Sequence, residues 1–196
     1  MYVDTGAIYR TVALKAVRAG TDPADPAQVV PLLEGLDLRM DYGPDGEQRM
    51  FLEGEDVSAA IREHRISGLA SQVSAIPEVR AFLLDFQRKL AREHDVLMDG
   101  RDIGTVVLPN ADVKVFLTAA PEARARRRVR DLELRGQQAD YDTVLRDIIA
   151  RDEQDRNRPI APLRQAEDAV LLDTTNLNLA QSLEALLAVI KEKIDL

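Results

Sequence analysis

Val96-Leu97-Met98-Asp99-Gly100-Arg101-Asp102-Ile103-Gly104 begins as an apolar run and breaks abruptly into charge and glycine. The run reads as a short buried strand. Two glycines beyond it let the backbone approach a ligand closely, and Arg101 and Asp102 project from the strand's carboxyl end. The same pattern recurs three times. Tyr2-Val3-Asp4 runs into Thr5, residues 113–117 end at Thr118, and residues 170–172 end in Asp173-Thr174-Thr175. Helical patterns separate these strands, so the fold class is α/β: a parallel sheet with helices on both faces. In such sheets ligands lie outside the carboxyl ends of the strands, where these polar residues cluster.

Between the strands, residues 8–19 place Ile8, Val12 and Ala16 on one helical face, with Gly20 as the stop. Asp25-Pro26 starts a helix that ends near Gly35. Residues 36–40 and 48–52 flank Tyr-Gly-Pro-Asp-Gly and read as an antiparallel hairpin, the centre of a small α+β insertion. Residues 77–93 form an amphipathic helix through Val79, Phe82, Leu83, Phe86 and Leu90. Further helices span 121–135 and 141–156, and Leu179, Leu183, Leu186, Leu187, Ile190 and Ile194 mark a C-terminal packing helix.

The chain is acidic, with net charge −8, yet 21 of its 26 basic residues are Arg. They concentrate in Glu-Ala-Arg-Ala-Arg-Arg-Arg-Val-Arg (122–130) and Arg-Asp-Glu-Gln-Asp-Arg-Asn-Arg (151–158). A guanidinium grips phosphate through two parallel hydrogen bonds, which an ammonium cannot do. Arginine gathered at a few places in an acidic chain suits a small, highly charged anion. A GC-rich genome that encodes Arg at ordinary surface positions gives the same composition. The negative charge, the lack of Trp and an aromatic content of 4% argue against a nucleic-acid binder. There is no Cys, no apolar run long enough to span a bilayer and no metal-ligand spacing. A cytoplasmic monomer of one domain, residues 1–196, with no membrane and no metal-binding residues, is the expectation.

Arg151, Asp155 and Arg158 share one face if a single helix runs through all three. That face offers two anion-binding forks around a carboxylate. The spacing equally suits a surface ladder of weak ion pairs. The 122–135 helix lacks an apolar stripe, which fits either a lid closing arginines over phosphates or a solvated helix with internal ion pairs. Thr5 reads as a helix N-cap, with Arg10 one turn further in.

The ordered set of motifs resembles the bacterial cytidylate kinases. The matching pieces are Tyr-Val-Asp-Thr-Gly-Ala-Ile-Tyr-Arg (2–10), Leu-Glu-Gly-Glu-Asp-Val-Ser (52–58), Ala-Ser-Gln-Val-Ser (70–74), Asp-Gly-Arg-Asp-Ile-Gly-Thr-Val-Val (99–107), Asp-Arg-Asn-Arg (155–158), Ala-Pro-Leu (161–163) and Asp-Thr-Thr (173–175). The resemblance covers essentially the whole chain. It implies the P-loop nucleoside monophosphate kinase fold, with an NMP-binding insertion at about 33–75 and a lid at about 121–152. It also implies an activity: ATP, with Mg²⁺, phosphorylates CMP or dCMP to CDP or dCDP. By motif, Ser71, Arg80 and Asp102 would read cytosine. Arg10, Arg101, Arg151 and Arg158 would hold phosphate, Thr5 would join the CMP site, and Asp155 would contact the sugar. Arg127 and Arg128 would be the lid's contacts to ATP. The partners implied are small molecules alone.

The resemblance also implies a central strand, a glycine-rich P-loop and a helix before the first matched motif. No Gly-x-x-x-x-Gly-Lys occurs in the 196 residues. Either Met1 is internal to a longer reading frame or the chain is truncated. For these 196 residues alone the expectation is negligible turnover, with a retained CMP pocket as the alternative function.

Overall fold

The computed structural model describes residues 1–194, with His64 described by its backbone alone. The chain divides into two compact units, Met1–Ile103 and Gly104–Leu196.

The first unit opens with β1 (Tyr2–Asp4), which passes without a loop into α1 (Thr5–Arg18). The helix starts here because the Asp4 side chain accepts a hydrogen bond from Ala7 N, satisfying one of the free amides of the first turn. The cap is therefore Asp4. Thr5, read from sequence as the cap, lies inside the helix and donates to the carbonyl of Asp99 at 2.7 Å. Ile8, Val12 and Ala16 are buried as their spacing requires, and Gly20, with φ of 69°, takes the left-handed conformation that ends the helix.

Short α2 (Pro26–Val29) and a 3₁₀ turn (Val30–Leu33) replace the longer helix that the sequence suggests. Pro31 has no amide proton to continue an α-helical ladder. Next come β2 (Leu38–Tyr42), β3 (Gln48–Leu52) and β4 (Glu55–Asp56), an antiparallel sheet in the order β2-β3-β4. The hairpin is the one expected, its first strand displaced by two residues. Helix α3 (His64–Val73) leads to α4 (Pro77–Glu93), whose bounds match the sequence reading. The deepest stripe of α4 is Val79, Leu83 and Gln87, whereas Phe82 is 38% exposed. β5 (Leu97–Asp99) then pairs in parallel with β1, placing Asp4 beside Asp99. Val3, Ile8, Val12, Met50, Leu52, Ile66, Val73, Val79 and Leu83 belong to one buried cluster.

A π-helical turn covers Ile103–Val107, a segment without a sequence signal. In the second unit β6 (Val115–Thr118) pairs in parallel with β7 (Val170–Asp173). The four parallel strands thus form two pairs rather than one continuous sheet among the described residues. Between β6 and β7 lie α5 (Pro121–Leu134) and α6 (Tyr141–Asn157), packed on each other. Lys114, its side chain 7% exposed, donates to the Asp168 carboxylate and to the Pro109 carbonyl, tying the approaches to β6 and β7. Helix α7 (Leu179–Lys193) begins with a capping box formed by Asn178 and Gln181. Its leucine stripe was expected to pack, but Leu179, Leu183 and Leu187 are exposed and no residue of α7 is fully buried. Within its unit α7 packs chiefly against β7, and the two-stranded β6–β7 sheet is too narrow to cover the stripe.

Candidate functional site

The polar residues of the first unit gather where β1 and β5 end. Asp4 uses both carboxylate oxygens: one accepts from Ala7 N at 3.1 Å, the other from Arg10 Nη2 at 2.7 Å. Arg10 is thereby held one turn into α1, its Nε buried and without a hydrogen bond among the described residues. A cavity of about 370 Å³ opens beside it, lined by Asp4, Arg10, Gln48, Ser58 and Arg62 among others. Gly100 follows β5 in a crowded position, where a β-carbon would lie 2.8 Å from Ile103 Cδ1 and collide with the Thr5 hydroxyl.

Asp4 and Asp99 are register partners, so two carboxylates stand side by side. The Asp99 carboxyl is pushed up, first by burial and then by the charge of Asp4. A hydrogen bond from Tyr2 and the charges of Arg101 and Arg10 act in the opposite direction. The Tyr2 phenol is pushed up to about 12, by burial foremost and then by the charges of Asp99 and Asp4.

Arg80 and Asp102 form a buried ion pair, with side chains 9% and 7% exposed. Arg80 comes from α4 and Asp102 from just beyond β5. The guanidinium also donates to the Ser74 carbonyl at 3.2 Å and lies 5.6 Å from the centre of the Tyr9 ring, within reach of a cation–π attraction. Ser71, on the last turn of α3, is half-buried, and its carbonyl accepts from the Ser74 hydroxyl. Arg101 is exposed beside the buried Asp102. The first unit thus brings Thr5, Arg10, Arg80 and Asp102 into bonded networks around the β1 and β5 ends.

In the second unit the helix does not run through all of Arg151, Asp155 and Arg158. Helix α6 ends at Asn157, and Arg158 is its C-cap in an extended conformation. The shared face expected from the spacing is replaced by a fold-back. Arg158 Nε donates to the Ala161 carbonyl at 2.6 Å, and its Nη1 lies 3.9 Å from the buried Asp155 carboxylate. Arg151 remains on α6 and is exposed. The arginine-rich α5 is neither wholly solvated nor laced only by internal pairs. Arg124 grips Asp152 of α6 with both terminal nitrogens. Arg127 donates to the carbonyls of Thr174 and Leu177, in the loop between β7 and α7. Arg128 takes part in neither clamp and is half-buried.

Sequence reading marked Asp4 and Asp99 as polar strand ends but gave neither a role in the site, and it gave none to Gln48 or Tyr9. Gln48 carried no signal, because its partner Asp4 lies 44 residues away. Among the described residues no group of three or more His, Asp or Glu side chains lies close enough to hold a metal ion.

Arginines fixed at strand and helix ends beside carboxylates are chemically suited to holding phosphorylated small molecules. The family model described as cytidylate kinase matches residues 1–192. The chain is 45% identical over 194 residues to the cytidylate kinase of Carboxydothermus hydrogenoformans, covering 99% of this chain and 87% of that one. It is 46% identical over 187 residues to that of Caldicellulosiruptor bescii, with 95% and 82% covered. It is 47% identical over 191 residues to that of Syntrophotalea carbinolica, with 97% and 81% covered. The chain belongs to the cytidylate kinase family and is a nucleoside monophosphate kinase.

Proposed function

We propose that the reaction is transfer of the γ-phosphoryl group of ATP to CMP or dCMP, giving ADP and CDP or dCDP, with Mg²⁺ accompanying ATP. The buried Arg80–Asp102 pair is the observation that carries the cytosine assignment. Cytosine offers an amino donor at N4 and acceptors at N3 and O2. A carboxylate that only accepts and a guanidinium that only donates match that order, whereas uracil presents an acceptor where Asp102 needs a donor. Ser71 adds a hydroxyl that can donate or accept.

Phosphoryl transfer asks little covalent chemistry of the protein. An oxygen of the CMP phosphate attacks the γ-phosphorus in line as the bond to the β-phosphate oxygen breaks. The acceptor is already anionic, so no general base is needed. In the first unit Arg10 and Arg101 act as phosphate holders, and Thr5 supports the strand end beside Arg10. In the second unit Arg151 and Arg158 act as phosphate holders, and Asp155 accepts from a sugar hydroxyl. Arg127 and Arg128 of α5 are the contacts to ATP, and the β7–α7 loop holds Arg127 in place. The expected setting is a cytoplasmic monomer in pyrimidine nucleotide metabolism. No helix among the described residues is long and apolar enough to cross a membrane.

The test is coupled ADP release by the protein with ATP and Mg²⁺ against CMP, dCMP and UMP. Preference for CMP or dCMP is the expected result. Preference for UMP overturns the base assignment, and turnover of no monophosphate overturns the reaction.

A further inference from the structure

Among the described residues β1 pairs with β5 alone, and no strand lies along its other edge. Two side chains of the β2–β3 hairpin occupy that edge. The Tyr42 hydroxyl donates to the Tyr2 carbonyl. The Gln48 carboxamide makes a reciprocal pair with one residue: its Oε1 accepts from Asp4 N at 2.8 Å, and its Nε2 donates to the Asp4 carbonyl at 3.3 Å. A carboxamide carries a donor and an acceptor in one plane, as a peptide does, so Gln48 serves Asp4 as a single residue of a neighbouring strand would. Asp4 in turn holds Arg10 Nη2 with one carboxylate oxygen and the first turn of α1 with the other.

We propose that Gln48 is a positioning residue for Arg10, acting through the main chain and carboxylate of Asp4. The inference rests on the reading of Arg10 as a holder of the CMP phosphate. Gln48, Asp4 and Arg10 line the same cavity. The buried Arg10 Nε has no hydrogen bond among the described residues, and a phosphate oxygen would satisfy it. With Asp4 bracketed on both main-chain polar groups, the guanidinium is set before the anion arrives, and less ordering remains to be done on binding. Gln48 touches no substrate in this scheme. Its effect reaches the phosphate alone.

The experiment is calorimetric binding of CMP and of cytidine, which lacks the phosphate, to the wild type, Gln48→Leu, Arg10→Gln and the double variant. Gln48→Leu is expected to weaken CMP roughly tenfold and to leave cytidine unchanged. Arg10→Gln weakens CMP at least as much, and adding Gln48→Leu to it costs nothing further, because the two act through one contact. Unchanged CMP binding by Gln48→Leu, equal weakening of CMP and cytidine, or additive losses in the double variant each overturn the proposal. If Arg10→Gln leaves CMP binding intact, the assignment of Arg10 to phosphate is what fails. Should Gln48→Leu not fold, Gln48→Glu keeps the acceptor for Asp4 N and sets an oxygen against the Asp4 carbonyl. The same selective loss of CMP affinity is then expected, and its absence overturns the proposal.

Discussion

Arg80 and Asp102, one on α4 and the other just past β5, neutralise each other in the interior of the first unit. Asp102→Ala leaves the guanidinium buried without its counter-charge. The expected loss is about 3–5 kcal/mol in urea unfolding. Replacing both residues by Leu removes the stranded charge, so the double variant should recover most of that loss. A double variant as unstable as Asp102→Ala would mean that packing, and not charge, sets the cost.

Two glycines give opposite expectations. Gly100→Ala places a methyl group against Ile103 and the Thr5 hydroxyl, loosening the bond from Thr5 to the Asp99 carbonyl. A loss of about 1–3 kcal/mol is expected. Gly68 lies inside α3 with nothing within 4 Å of where a β-carbon would sit. Gly68→Ala should stabilise by about 0.5–1 kcal/mol, as glycine within a helix costs backbone entropy. Melting temperatures of the two variants, read against wild type, check both signs.

Asp99 makes stability depend on pH in an uncommon direction for a carboxylate. Its folded value is raised above 3.8 by burial and by Asp4. Between 3.8 and that raised value the folded state binds more protons than the unfolded chain. Stability from this group is therefore present in acid, falls as pH rises through the window, and stays lower above it. Asp99→Asn cannot ionise and still offers an acceptor to Tyr2. Its melting temperature should gain on wild type as pH rises from 4 toward neutrality, and parallel curves would refute the linkage.

Arg127 and Arg126 are sequence neighbours with different duties. Arg127→Ala removes the donor shared by the Thr174 and Leu177 carbonyls and should cost about 1–3 kcal/mol. Faster amide hydrogen exchange at residues 174–178 should accompany the loss. Arg126→Ala, at an exposed position, should stay within about 0.5 kcal/mol of wild type. Equal effects would place the clamp outside the stability of the loop.

The strand ends, and much of what stands on them, were legible because the signals are local. Pro77 at the first helical position and the period through Val79 and Leu83 gave α4 its bounds. Asp99, Thr118 and Asp173 end their strands as the pattern implied. What escaped depends on partners far along the chain. Asp4 rather than Thr5 caps α1 because the Thr5 hydroxyl is drawn to a carbonyl 94 residues away. Arg158 is the local exception: it precedes Pro159, which disfavours the helical conformation in the residue before it, and its Nε then reaches the Ala161 carbonyl. The π-helical turn at Ile103–Val107 is built from residues whose β-branching suits a strand as readily.

The two side chains laid along β1 have a consequence for how the molecule behaves in concentrated solution. A bare strand edge is a template on which another copy can add a strand of its own. Here Tyr42 and Gln48 occupy the polar groups of Tyr2 and Asp4 that such a strand would need. Each side chain satisfies a partner without offering a fresh edge beyond it. Replacing both should reopen that edge, so that association rises reversibly with concentration beyond that of wild type, visible as a growing sedimentation coefficient. The hairpin therefore closes the β1 edge with two side chains where a whole strand would otherwise be required.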